Sequence, residues 1–159
     1  MKLTLGQVRG ALHLSQDAYR HWKTVLLPLA GRKGHRACFT HSDLLALAIV
    51  KSLTDEIGVP VGSLDSMARA LFEQCGQQSW ARFERLVALI CPGDWSLSFV
   101  PDGQISQLTQ ATIVIPCAPI IASLRTALMV EYPDEPQAAL RFPLAAVAVE
   151  RRSAGGSNS

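Results

Sequence analysis

The densest positive charge in the chain lies in the short stretch GRKGHR at residues 31–36, directly before an apolar run that begins at Asp43. Its four basic side chains are those of Arg32, Lys33, His35 and Arg36. Guanidinium and ammonium groups bind phosphate oxygens, and a neutral imidazole can donate one N–H to a phosphate. The spacing favours a loop that contacts a polyanion, although a basic solubilising turn would have the same composition.

A second group of polar side chains lies in SQDAYRHWK at residues 15–23. Ser15 is a good N-cap, and the following helix can bury Ala18, Tyr19 and Trp22 on one side. The opposite side carries four polar residues: Gln16, Asp17, Arg20 and Lys23.

These residue types can recognise nucleic acid. The guanidinium of Arg20 can reach a guanine edge or a phosphate, and Gln16 can pair with adenine. Asp17 could accept from cytosine or could simply favour the helix dipole. For Arg20 the alternative is an ordinary solvated surface side chain.

The elements around these groups predict a small helical front. Thr4 caps a helix that contains Leu5, Val8 and Leu12, so this helix and the one after Ser15 form a helix-turn-helix. Residues 26–39, with glycines at the tip, fit a β-hairpin that would project the cations as a wing. Thr40 and Asp43 form a near-capping box for a buried helix.

After this helix, Gly58 and Pro60 break the pattern, and a further helix is predicted over about residues 62–75. The back half changes style, with strands in LVALIC, WSLSFV and TIVIP and a helix that has Pro119 in its first turn. The last apolar segment, residues 141–150, could be strand or helix. We therefore expect an α+β fold with a winged helix-turn-helix domain at 1–76, a small α+β unit at 77–150 and an unstructured tail at 151–159.

Charge is distributed unevenly along the 159 residues, whose formal net charge is +2. Residues 1–64 hold eight Lys and Arg against four Asp and Glu, a net +4, so the remainder carries −2. A basic front with a mildly acidic back suggests that the front meets a polyanion. No apolar run approaches the length of a membrane span and no secretion signal is recognised at the N-terminus, so the expected location is the cytoplasm.

The front half resembles the MerR family of winged-helix transcription regulators over about its first seventy residues. SQDAYRHWK is similar to the family's recognition helix through Ser15, Arg20, His21 and Trp22. The family's wing, the helix that follows it and the turn into the next helix are matched by a longer set: Gly34, His35, Arg36, Phe39, Asp43, Leu44, Gly58, Val59, Pro60, Val61 and Leu64. In contrast to the family's usual long coiled-coil helix, the helical run here ends near Cys75-Gly76.

This resemblance implies a bacterial or phage regulator that binds duplex DNA, and limited interface area favours a homodimer on a palindromic operator. The back half would then dimerise the protein or contact a protein partner. The predicted DNA-binding residues are Gln16, Asp17, Arg20, His21, Lys23, Arg32, Lys33, His35 and Arg36. Two alternatives are an excisionase-like or architectural factor of a phage or mobile element, and a protein- or ligand-binding module that uses its winged helix for protein contacts.

Other chemistry has less support in the sequence. Cys91-Pro92-Gly93-Asp94 superficially resembles a metal-binding loop, but no second cysteine closes it, and a hairpin turn explains the same residues. The four cysteines, at 38, 75, 91 and 117, are expected to be free thiols. We find no nucleophile–base set, carboxylate pair or phosphate-binding glycine loop, so we expect neither an enzyme nor a resident metal or cofactor.

Overall fold

The protein combines helices with one three-stranded antiparallel sheet, as a computed structural model that describes residues 1–33 and 36–131 shows. This arrangement confirms the predicted α+β class. The predictions for Gly34, His35, residues 141–150 and the tail lie outside the described residues. The main elements are α1 (Leu5–Leu12), α2 (Gln16–Val25), α3 (Leu27–Ala30), α4 (His41–Lys51), α5 (Asp65–Gly76), α6 (Trp80–Phe83), β1 (Leu86–Cys91), β2 (Ser96–Pro101), β3 (Ile113–Pro116) and α7 (Cys117–Glu131).

The first two helices begin at the predicted caps. The Thr4 hydroxyl accepts from the backbone N–H of Gln7 at 3.3 Å, and the Gln7 side chain accepts from the Thr4 N–H at 2.6 Å. Ser15 Oγ accepts from the Ala18 N–H at 3.1 Å and so caps α2. Between them, His13 adopts the left-handed conformation (φ 50°) that ends α1. The result is two short helices joined by a tight turn.

The predicted β-hairpin over residues 26–39 is wrong for the residues described. Its first arm is the one-turn helix α3, with Pro28 in the first turn, where a missing N–H costs no hydrogen bond. Leu26 and Leu29, three residues apart, are both fully buried. Phe39 instead pairs antiparallel with Leu3, whose N–H donates to the Phe39 carbonyl at 2.7 Å.

Helix α4 is the centre of the core, as its composition predicts. Every residue from 43 to 50 is buried. Thr40 Oγ accepts from the Asp43 N–H at 3.1 Å, while the Asp43 carboxylate accepts from the Thr40 N–H at 2.8 Å, so the predicted capping box is confirmed. The helix continues into a π-helical turn, Ser52–Glu56, and the chain leaves it at Gly58, whose φ of +82° suits glycine.

The three strands predicted in LVALIC, WSLSFV and TIVIP are present as β1, β2 and β3. The sheet order is β2-β1-β3, and Ala88 in the central strand lies opposite Phe99 on one side and Ile115 on the other. A turn over residues 92–95 joins β1 to β2, with the Asp94 carboxylate accepting from the Ser96 N–H at 3.0 Å. This geometry fits the predicted hairpin turn after Cys91.

Front and back share one core. Helix α7 packs against α1 and α4, and a single cluster of buried side chains runs from Leu3 to Leu124. The indole N–H of Trp80 also donates to the His41 carbonyl at the start of α4, at 3.0 Å. The segment after residue 76 therefore packs directly against the front segment 1–76 and stabilises it.

Candidate nucleic-acid interface

Helix α2 exposes a continuous polar face. Tyr19 and Trp22 are each 5% exposed and anchor the helix to the core, as predicted for Trp22. Burial raises the pKa of the Tyr19 hydroxyl, so this side chain stays neutral at physiological pH. The exposed residues are Gln16, Asp17, Arg20, His21 and Thr24.

Within this face the Arg20 guanidinium is largely available. Its side chain is 70% exposed and lies 3.8 Å from the carboxylate of Asp17, which is 95% exposed. Ion pairs this open to water contribute little, because hydration competes with them. Arg20 can therefore exchange Asp17 for an incoming phosphate or base edge at small cost.

Lys23 fixes the position of α2 relative to the basic loop. Its ammonium donates to the Arg32 carbonyl at 2.7 Å, and the side chain is half-buried. A second contact joins the same two regions, since the rings of Tyr19 and Phe39 meet edge to face at 6.4 Å between centroids. Lys23 was predicted as a nucleic-acid contact, and one of its three N–H donors is committed inside the protein.

Arg32 has a structural role that the sequence does not suggest. Its guanidinium donates to both carboxylate oxygens of Asp43, at 2.7 and 3.0 Å, and to the Cys38 carbonyl at 3.0 Å. Its Nε–H donates to the Pro28 carbonyl at 3.1 Å, and its central carbon lies 5.0 Å from the centre of the Phe39 ring. Because these groups engage all three guanidinium nitrogens, Arg32 holds the loop on α4 in place of the predicted contact with nucleic acid.

Sequence reasoning missed this pair although it identified both residues. Asp43 was interpreted only as a helix cap. Its carboxylate in fact accepts hydrogen bonds both from the Thr40 N–H of the cap and from the Arg32 guanidinium. The only signal in the sequence was a carboxylate followed by seven apolar residues of the same helix, because a carboxylate needs a partner once buried. Nothing in the spacing of residues 32 and 43 identifies that partner.

Two further cations of the loop, Lys33 and Arg36, are exposed. Together with Arg20 they place three exposed cations on α2 and on the loop that Lys23 and Phe39 hold beside it. Side chains of this kind can neutralise phosphates, and the amide of Gln16 can read a base edge.

The thiols do not assemble into a metal site among the residues described. No group of three His, Cys, Asp or Glu side chains there is placed to hold an ion. Cys75 and Cys117 are buried, and burial raises their pKa to about 12 and about 11. Cys91 is half-buried, and hydrogen bonds from Ser96 and then Thr112 lower its pKa.

None of the described helices is long and apolar enough to cross a membrane.

Comparison of the chain with protein-family models, with curated proteins and with solved structures found no match. The assignment of a function therefore depends on the geometry of the molecule and on the residue pattern of its front half.

Proposed function

We propose that this protein is a sequence-specific regulator that binds duplex DNA and acts by binding rather than by catalysis. In this proposal α1 and α2 form a MerR-like helix-turn-helix, and α2 enters the major groove. The observation that carries the proposal is the exposed polar face of α2, held beside a cationic loop by the Lys23–Arg32 contact.

The dimensions of α2 suit this role. Ten residues make a helix about 15 Å long, and an α-helix about 10–12 Å in diameter fits a major groove about 12 Å wide. Recognition helices usually contact base edges through their first turns, where Gln16, Asp17 and Arg20 lie. Lys33 and Arg36 would contact the phosphate backbone beside the groove and thereby fix the register of α2.

A homodimer on a palindromic operator is part of the proposal, because one helix of this size reads only a few base pairs. Two copies would place their α2 helices about 34 Å apart, one turn of the duplex. From the sequence alone, the aliphatic residues of β3 and α7 could form either a dimer surface or part of the core. They serve mainly as core, since Ile115, Ile121 and Leu124 are buried. Ile113, Ile120 and Leu128 are partly buried against the same cluster. A dimer contact would therefore use other residues.

Footprinting of the full chain on the region upstream of its own coding sequence tests the proposal. We expect one protected site of about 20 base pairs with two-fold symmetry, because two copies of α2 contact successive turns of one face of the duplex. Extended or tandem protection would instead favour the architectural or excisionase-like alternative. If no duplex is bound even at 50 mM salt, where phosphate contacts are strong, the proposal fails and the protein-contact alternative gains.

A further inference from the structure

An open cavity of about 520 Å³ lies where the end of α1 meets the end of α4 and the start of α7. Its walls come from α1, from α4 and the π-helical turn after it, from β3, and from the first two turns of α7. This volume lies within the range of about 300–1,000 Å³ that is typical of small-molecule sites. The cavity lies away from the exposed face of α2, so the proposed DNA contacts do not account for it.

The interior of the cavity is apolar. Leu12, Ala48, Ile115 and Leu124 line it, and each is less than a tenth exposed. A guest that fills this space must therefore present hydrocarbon or an aromatic ring to these walls.

The rim is polar and carries more negative than positive charge. Lys51 pairs with Asp55, and Ser52 Oγ donates to Glu56 Oε1 at 3.2 Å, all within the π-helical turn or the residue before it. Asp55 and Glu56 together outweigh the one lysine. Short π-helical segments are rare and occur frequently at functional sites. The net negative charge of the rim therefore favours a positively charged group on a bound ligand.

From this combination we infer that the cavity binds a small amphipathic cation, with an apolar body against Leu12 and Leu124 and an ammonium at Asp55 and Glu56. The ligand would also contact the end of α1, since Ala11, Leu12 and His13 line the same cavity. His13 is followed two residues later by Ser15, the cap of α2. If the proposed function holds, occupancy of the cavity alters the position of α2 and hence the affinity for DNA.

The ligand site can be tested without knowledge of the natural ligand. We expect 4-phenylbutylammonium to bind the full chain saturably, with a Kd on the order of 100 μM for its eleven heavy atoms. The anion 5-phenylpentanoate, of similar size, should bind at least about tenfold more weakly, because it meets the two rim carboxylates. Isothermal titration calorimetry and the shift of the unfolding temperature measure both compounds.

Two variants locate the site. Glu56→Gln removes one rim charge and Ser123→Phe fills the mouth from α7, and each should raise the Kd of the amine at least about fivefold. The matched controls are Glu73→Gln and Ala122→Phe, exposed residues of α5 and α7 that do not line the cavity, and they should leave the Kd unchanged. Because all four positions are at or near the surface, we expect the variants to fold.

The outcomes separate the site from the proposed function. The site is rejected if the amine does not bind up to 5 mM, if the carboxylate binds equally well, or if Ser123→Phe binds as the wild type does. A protein that binds the amine but no DNA retains the site and loses the proposed function. If the protein binds both the amine and DNA, but the amine leaves the affinity for DNA unchanged, the regulatory link is rejected.

Discussion

Replacing Arg20 and Arg36 together with alanine is expected to weaken specific binding to duplex DNA by about 100-fold or more. Both side chains are exposed, one on α2 and one on the neighbouring loop, and each would form a charge-assisted contact with a base edge or a phosphate. Contacts of this kind contribute about 1–3 kcal/mol each, roughly 5-fold to 160-fold per residue, so two contacts of about 2 kcal/mol each together exceed about 100-fold. Fluorescence anisotropy on the footprinted duplex at a fixed salt concentration gives the measurement.

Arg82→Ala is the matched control for this experiment. Arg82 is also an exposed arginine, but it lies on α6 in the back half. Its loss removes one positive charge, half of the change in the double variant, so a general effect of net charge would appear in the control in proportion. Equal affinity of the wild type and the Arg20/Arg36 double variant would contradict the assigned interface.

Replacing Arg32 with alanine is expected to lower the free energy of unfolding by about 2–4 kcal/mol. Asp43 is 9% exposed, and without the guanidinium its carboxylate would be buried with only its helix-cap contact. The variant also leaves the Cys38 and Pro28 carbonyls without their donor. The lower part of this range allows for the 23% exposure of the Arg32 side chain, which lets water replace some of the lost contacts.

Urea denaturation of Arg32→Ala beside Arg36→Ala checks this expectation. Arg36 is a nearby, exposed arginine of the same loop, and its removal should change stability by less than about 0.5 kcal/mol. The two variants therefore have different expected effects: Arg32→Ala lowers stability, whereas Arg36→Ala lowers the affinity for DNA. A stability of Arg32→Ala equal to that of Arg36→Ala would show that the Asp43 pair contributes nothing measurable.

Features with a local cause could be predicted from the sequence. Thr4, Ser15 and Thr40 cap helices because a hydroxyl satisfies a free N–H of the first turn, and this chemistry needs no information from the rest of the fold. The strands before and after Pro92 were predicted from their apolar content and alternation, and they pair in register as neighbours.

Features that depend on distant residues could not be predicted. The chain around Pro28 has apolar residues that suit either a strand or a helical turn, and burial of Leu26 and Leu29 decides for the helix. Phe39 pairs with Leu3, thirty-six residues earlier, so no turn signal marks the partner. The role of Arg32 was misinterpreted for the same reason, since the carboxylate that it binds belongs to Asp43 in another element, α4.

Periodicity also leaves open whether an apolar side chain faces the core or a partner. The aliphatic residues of β3 and α7 could have served either purpose, and only the packing of α7 on α1 and α4 shows that Ile121 and Leu124 are core. The same packing forms the open cavity beside the π-helical turn. No pattern in the sequence indicates that space, because its walls come from three separate segments of the chain.

Site-specific photocrosslinking tests the central claim, contact of the outer face of α2 with DNA, most directly. A benzophenone amino acid would be placed at Gln16 in one protein and at Arg82 in a control, and each would be irradiated with fragmented duplex DNA at 50 mM salt. We predict covalent protein–DNA adducts from position 16 that disappear at high salt, and few from position 82. Adducts from neither position, or equal yields from both, would contradict the claim that this face is the DNA-binding surface.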